Sequence, residues 1–152
     1  MKFLVQRVTS AAVTVEGEVK GKIGKGFLVL AGVSDTDTKP LADKMLDKLS
    51  KLRIFEDSEG KTNLSIQDVG GEFLVISQFT LYANCKKGNR PSFIEAGKPD
   101  MAEEMYEYLV DSLRRRGFSV EKGVFGADMK VELLNDGPFT VMLDSKELGF
   151  EG

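Results

Sequence analysis

Three short stretches of this sequence hold residues equipped for chemistry. Ser77, Gln78, Phe79 and Thr80 (SQFT) interleave hydroxyl, amide and apolar side chains at the end of an apolar run. A strand end of this kind offers free backbone NH groups, with a hydroxyl beside them, to a carbonyl oxygen gaining negative charge, as acyl transfer requires. On the residues alone, the same alternation equally describes the solvent side of an edge strand. Lys86, Lys87 and Arg90 place three cations within five residues (KKGNR). They suit phosphate oxygens, or belong to a solvated loop. The third stretch, Asn135 to Thr140 (NDGPFT), lies between the alternating runs MKVELL and FTVMLD. Its Pro138 removes a backbone donor where a second strand should begin to pair. The residues favour a trans Gly137–Pro138 bond, since cis occurs at only about 5 to 6% of X–Pro bonds in folded proteins. A cis bond would instead make a tight reversal between the flanking strands.

The absences narrow the chemistry. With no histidine and a single cysteine, Cys85, the chain assembles neither an imidazole-based triad nor a usual zinc ligand set. No metal or cofactor is expected. Thr80 as a nucleophile lacks an obvious base. Arg114, Arg115 and Arg116 end an apolar-striped helical segment, where they complement its dipole, so a structural role outweighs RNA binding.

The elements that must hold these groups follow from spacing. Residues 2 to 33 carry the runs FLVQRV, AVTVEG, EVKGKIG and GFLVLAGV, which read as several strands of a tight meander. Leu41, Met45, Leu46 and Leu49 recur at helical spacing after an N-cap candidate, Thr38, and Pro40. RIFEDSEGKTNLSI reads as two short strands about a polar turn, and Glu72 to Phe79 as a buried central strand. An irregular stretch from Tyr82 to Lys98 precedes a second helix, Pro99 to Arg116, closed by Gly117. FSVEKGVF, MKVELL and FTVMLD then read as strands before a polar tail from Ser145. This predicts an α+β fold, mostly antiparallel, with two main helices packed against the sheet.

A length of 152 residues, 41% hydrophobic and 30% charged, suits one soluble domain. The longest apolar run, Gly26 to Val33, is too short to span a bilayer, and no signal peptide is visible, so no membrane association and a cytoplasmic location are expected. A net charge of −3 argues against a surface coated for nucleic acid and leaves room for a local basic patch.

SQFTLYA, GNRPSF, GVFGADM and NDGPFT, in this order and at these separations, resemble the D-aminoacyl-tRNA deacylase family from Met1 to about Ser145. The resemblance implies a single domain, residues 1–145, and leaves residues 146–152 as a tail of no assigned role. It implies a homodimer of barrel-like α+β fold that hydrolyses the ester between a D-amino acid, or glycine mischarged on tRNA(Ala), and the terminal ribose of tRNA, with no membrane or DNA partner. By similarity, Ser77, Gln78, Phe79 and Thr80 build the catalytic pocket, with NH groups near Phe79 and Thr80 as oxyanion donors. Gly137 and Pro138 of the other subunit, joined by a cis bond, enter that pocket, accept from the substrate ammonium and block an L side chain. Arg7 holds that loop, Met129 lines the pocket, and Lys86, Lys87 and Arg90 grip RNA; for Arg7 and Met129 the plainer readings are surface ion pairing and core packing. Phe139 departs from the smaller residue, commonly valine, that follows the pair in the family. Rival readings are a non-catalytic module for the tRNA 3′ end, a synthetase-type editing domain acting on an L-aminoacyl-tRNA, and a dimeric structural protein.

Overall fold

The computed structural model describes residues 1–150. Its first strand, β1 (Lys2–Val15), is continuous through FLVQRV and AVTV, which the sequence divides. Between Arg7 and Ala11 stand only Val8, Thr9 and Ser10, so the chain lacks turn chemistry there and bends instead, with register shifts between Gln6 and Ser10. It reverses at Glu16 and Gly17, both at positive φ (50° and 80°), as a tight hairpin turn demands. β2 (Glu18–Ile23) and β3 (Gly26–Gly32) then return end to end along the same edge of β1. The expected meander is therefore one long, kinked hairpin.

β6 (Glu72–Ser77) pairs parallel to β3, and β7 (Val120–Lys122) parallel to β6. The sheet order is β2-β1-β3-β6-β7, with β8 (Lys130–Asp144) on the other edge of β1. β2 curls back toward β7: a Cβ on Gly21 would stand 3.0 Å from the Lys122 carbonyl oxygen. This near closure gives the barrel-like, mostly antiparallel α+β architecture that the sequence suggests. A separate pair, β4 (Phe55–Glu56) and β5 (Thr62–Leu64), follows the first helix.

The sheet buries both faces. Phe27, Val29, Phe73 and Val75 pack against α1 (Lys39–Lys51) and α2 (Pro99–Arg115), while Leu28, Leu74 and Ile76 on the opposite face meet Val8, Val13 and Ile23 inside the curl. Two-sided burial explains why GFLVLAG and EFLVIS read as unbroken apolar runs. Thr38 caps α1 by accepting from the Leu41 NH at 3.3 Å. The three arginines at the end of α2 bond to protein groups: Arg114 to the Val120 carbonyl, Arg115 to Ser112, and the C-cap residue Arg116 to Asp47 of α1. No helix among the described residues is long and apolar enough to cross a membrane. The stretch after Ser145 turns back, and Leu148 and Phe150 pack on the helical core.

β8 overturns the expected reversal at NDGPFT. Its two arms both pair antiparallel with β1, Thr140 opposite Gln6 and Asn135 opposite Val8. Two residue steps along β1 therefore face five along β8, and residues 136–139 are pushed out as a loop from a strand that never changes direction. Pro138 lies in this loop, where its missing NH costs no ladder bond. The Gly137–Pro138 bond is cis, not the trans form that the residues favour. Gly137 has φ +133°, and a Cβ there would lie 3.0 Å from the Arg7 guanidinium. The Asn135 side-chain amide closes the neck by donating to the carbonyls of Arg7 (2.9 Å) and Phe139 (3.0 Å).

Tyr106 of α2 is buried; its hydroxyl donates to the Val75 carbonyl at 2.7 Å and accepts from the Gly123 NH at 3.1 Å. Burial pushes its pKa well above the ordinary tyrosine value, and burial does the same to Tyr82 with Asp37 adding to it. Since both are raised in the folded state, their contribution is intact below about pH 10 and declines as the pH climbs beyond the unfolded-state value. Chemical denaturation followed by circular dichroism should show a midpoint falling from pH 9.5 to 11.5 (roughly the window set by a tyrosine pKa near 10). Tyr106→Phe should flatten that fall and cost about 1–3 kcal/mol at neutral pH, because the Gly123 NH loses its acceptor.

Candidate active site

At the carboxyl end of β6 the Gln78 NH donates to the Ala31 carbonyl at 2.8 Å, the last tie to the sheet. The chain then tightens into a 3₁₀ turn over Phe79–Tyr82. The NH groups of Phe79 and Thr80, first in that turn, have no hydrogen-bond acceptor among the described residues. The Gln78 side-chain nitrogen donates to the Thr80 hydroxyl at 2.6 Å.

This turn borders a cleft of about 760 Å³. Ile76, Ser77, Gln78 and Phe79 form one wall, the segment from Phe93 to Pro99 another, and Phe125 to Met129 a third. Val33, Ala102 and Val131 complete an apolar lining. At the rim Phe79 and Phe93 meet edge to face, ring centroids 5.1 Å apart. Both rings are partly exposed, and Ile94 beside them is 86% exposed. The cleft thus combines a few polar groups with an apolar bed, the usual composition of a small-molecule site.

The fold brings some of the sequence candidates together and separates others. Ser77, Gln78, Phe79 and Met129 share the cleft; Thr80 stands just outside its lining, exposed on the turn. Lys86, Lys87 and Arg90 occupy the exposed tip of a loop pinched by mutual backbone bonds of Asn84 and Ser92 (2.7 and 2.9 Å). They do not line the cleft, and none has a carboxylate partner among the described residues.

Gly137, Pro138 and Arg7 do not line the cleft of their own chain either. Gly137 and Pro138 are exposed, whereas Arg7 is 5% exposed; it does ion-pair, its Nε lying 3.7 Å from the half-exposed Asp136 carboxylate, but from a buried position. Its Nε donates to the Asp136 carbonyl at 3.0 Å and its Nη1 to the Ile54 carbonyl at 2.6 Å. The guanidinium also lies over the Phe139 ring, 4.8 Å from the centroid. The larger residue at position 139 is therefore accommodated by stacking on Arg7.

Two residues that shape the cleft escape sequence reasoning. A Cβ on Gly123 would stand 2.6 Å from the Met129 sulfur, so Met129 fills the space left by a bare α-carbon. Tyr106 fixes Gly123 in turn, bridging it to β6. In the sequence Tyr106 is one more member of the apolar stripe of α2; only GVFGADM hints at Gly123.

A family model described as D-Tyr-tRNA(Tyr) deacylase matches residues 4–144. The chain belongs to the D-Tyr-tRNA(Tyr) deacylase family. Relatives named D-aminoacyl-tRNA deacylase include one from Lactobacillus acidophilus, 56% identical over 95% of this chain and 99% of its own. Another, from Desulfitobacterium hafniense, is 55% identical over 97% and 99%. Among solved structures, one titled c-Myc DNA Unwinding Element Binding Protein superposes with a TM-score of 0.90 at 43% identity, covering 95% of this chain and 99% of that one. A probable eukaryotic D-amino acid tRNA deacylase shares the fold at a TM-score of 0.80 and 18% identity, over 93% and 97%.

Within this deacylase fold Arg7 links three segments through one planar fork, which lysine cannot reproduce. Arg7→Lys should cost about 1.5–3 kcal/mol through lost charge-assisted bonds. Backbone amides of residues 135–140 should also exchange hydrogen faster while those of β6 keep their protection. Unchanged protection over 135–140 in a mass-spectrometric exchange experiment would show that the loop does not depend on Arg7.

Proposed function

We propose that the protein hydrolyses the ester joining a D-amino acid, or glycine carried on tRNA(Ala), to the terminal ribose of tRNA. It does so in the cytoplasm as a homodimer and without a cofactor. The observation that carries this reading is the open pair of NH groups at Phe79 and Thr80, beside an apolar cleft in a chain of this family. In the tetrahedral adduct the former carbonyl oxygen accepts from these donors, in a setting where fixed dipoles act more strongly than in water.

Water adds to the carbonyl carbon, and its proton passes to the departing 3′ oxygen, leaving free amino acid and a 3′ hydroxyl. The neighbouring 2′ hydroxyl of the substrate positions the water and relays the proton. An acyl-enzyme on Thr80 is disfavoured because the partner of its hydroxyl is the Gln78 amide, which cannot serve as a base. Lys86, Lys87 and Arg90 meet RNA phosphates near the rim.

Handedness comes from the loop at Gly137 and Pro138, lent by the second subunit. It projects from β8, is exposed and is held from beneath by Arg7 and Asn135, which supports a role in a neighbour's cleft. Among the described residues β8 pairs only with β1, so its other edge is available, with Leu134 (61% exposed) and Met142 (44% exposed) on its surface. Main-chain carbonyls of the inserted loop accept from the substrate ammonium and occupy the direction of an L side chain. They read the part common to all amino acids and reject by clash.

Incubation with matched D-tyrosyl- and L-tyrosyl-tRNA should release amino acid from the D ester alone. Binding of uncharged tRNA without turnover would select the non-catalytic module, and loss of an L-seryl ester the synthetase-type editing domain. Thr80→Ala should lower kcat by about tenfold or less, the worth of one neutral hydrogen bond; a drop of several orders of magnitude would restore Thr80 as nucleophile. Gly137→Ala, strained by its φ and crowded by Arg7, should displace the loop and narrow the ratio of D to L turnover.

A further inference from the structure

A second concave surface lies away from the cleft. It is a groove of about 400 Å³ along the exposed side of α1, lined by Lys44, Lys48, Lys51 and Arg53, with Asp47 and Phe150 among its other walls. The three lysines recur at positions i, i+4 and i+7, so they form one row about 10 Å long at the helical rise. All four cations are exposed. None has a carboxylate within ion-pair distance among the described residues. The nearby carboxylate, Asp47, is already engaged by Arg116 at 2.5 Å. Arg53 donates to the backbone and side-chain oxygens of Asn63, both neutral, and keeps its charge unopposed. In a chain of net charge −3, such a row calls for an anionic partner.

The groove is joined to the Gly137–Pro138 loop through one side chain. Arg53 is followed by Ile54, whose carbonyl accepts from Arg7 Nη1, and Nε of the same guanidinium bonds the Asp136 carbonyl. The backbone next to Arg53 and the root of the loop are thereby held to one guanidinium.

We propose that the groove of the subunit lending its loop holds acceptor-stem phosphates of the tRNA whose ester occupies the partner's cleft. This rests on the deacylase reading and its shared cleft. The 3′ end then passes between two basic surfaces of different subunits, the Lys86–Arg90 loop of one and α1 of the other. Lysines act here as point charges on a backbone, positioning RNA without reading its sequence, which suits an enzyme that serves many tRNAs.

The test compares D-tyrosyl-tRNA with D-tyrosyl-adenosine, which carries the ester but no stem. The triple variant Lys44→Glu, Lys48→Glu, Lys51→Glu should raise KM for the tRNA at least tenfold at about 0.15 M salt and reduce the log-log salt dependence by about 2, at 0.7–0.9 per phosphate. Its turnover of D-tyrosyl-adenosine should stay within twofold of wild type. Should the triple Glu variant unfold, the corresponding Gln variant gives the same test with a smaller expected rise. Unchanged KM and salt dependence for tRNA, with wild type active on both esters, overturns the groove alone. Failure of wild type to hydrolyse either ester removes the deacylase reading and the groove with it.

Subunit assignment is read from a heterodimer. One subunit has its cleft blocked by Ala127→Trp and a wild-type groove; the other has an open cleft and the three glutamates. The open cleft then receives its loop and lysines from the blocked subunit, so KM for tRNA should be that of wild type. A KM as high as in the triple-variant homodimer would mean that each groove serves its own cleft, and would overturn the proposal.

Discussion

A guanidinium without solvent at its back must find acceptors, and the way Arg7 finds them organises the molecule. It sits on the central strand β1, yet its hydrogen bonds go to Ile54, after α1, and to Asp136, at the root of the loop in β8. With Phe139 stacked on its face, the group touches all three segments at once. Removing the charge would strand two carbonyls and an aromatic ring; keeping it binds the helical layer, the barrel and the loop at one point. The same residue carries the link between the α1 groove and the loop.

Around that point the sheet separates two cores. One lies under the helices and the other inside the curl, and β6 serves both through Phe73 and Val75 on one side and Leu74 and Ile76 on the other. A strand buried on both faces leaves no lateral freedom to the turn that follows it. The position of Phe79 and Thr80 is therefore set by packing that begins several residues earlier, while the opposite wall of the cleft is set through Tyr106 and Gly123.

The helices and β6 were legible because their signals are local: a capping threonine and leucines at helical spacing for α1, a continuous apolar run between glycines and a loop for β6. β1 and β8 were not legible as single strands. Thr9 and Ser10 interrupt one apolar pattern and Asp136 to Phe139 the other, and local pattern cannot distinguish a bend or an expelled loop from a turn. What decides is the partner, since both halves of β8 find β1. Of the cleft lining, Ser77, Gln78, Phe79 and Met129 could be named from their motifs, while Thr80 falls just outside it. Tyr106 could not, because its function is a hydroxyl that joins residues 31 and 17 positions away, and Gly123 contributes by what it lacks.

The loop at 136–139 has a further property that follows from its placement. Antiparallel pairing with β1 resumes on either side of it with the register shifted, and the neck is tied by the Asn135 amide to the carbonyls of Arg7 and Phe139. The ladder bonds to β1 are thus made by the flanking residues and by none of residues 136–139. Such an arrangement makes a tip on a fixed stem: the strand stays zipped to β1 while residues 136–139, braced by Arg7, stand clear of the ladder.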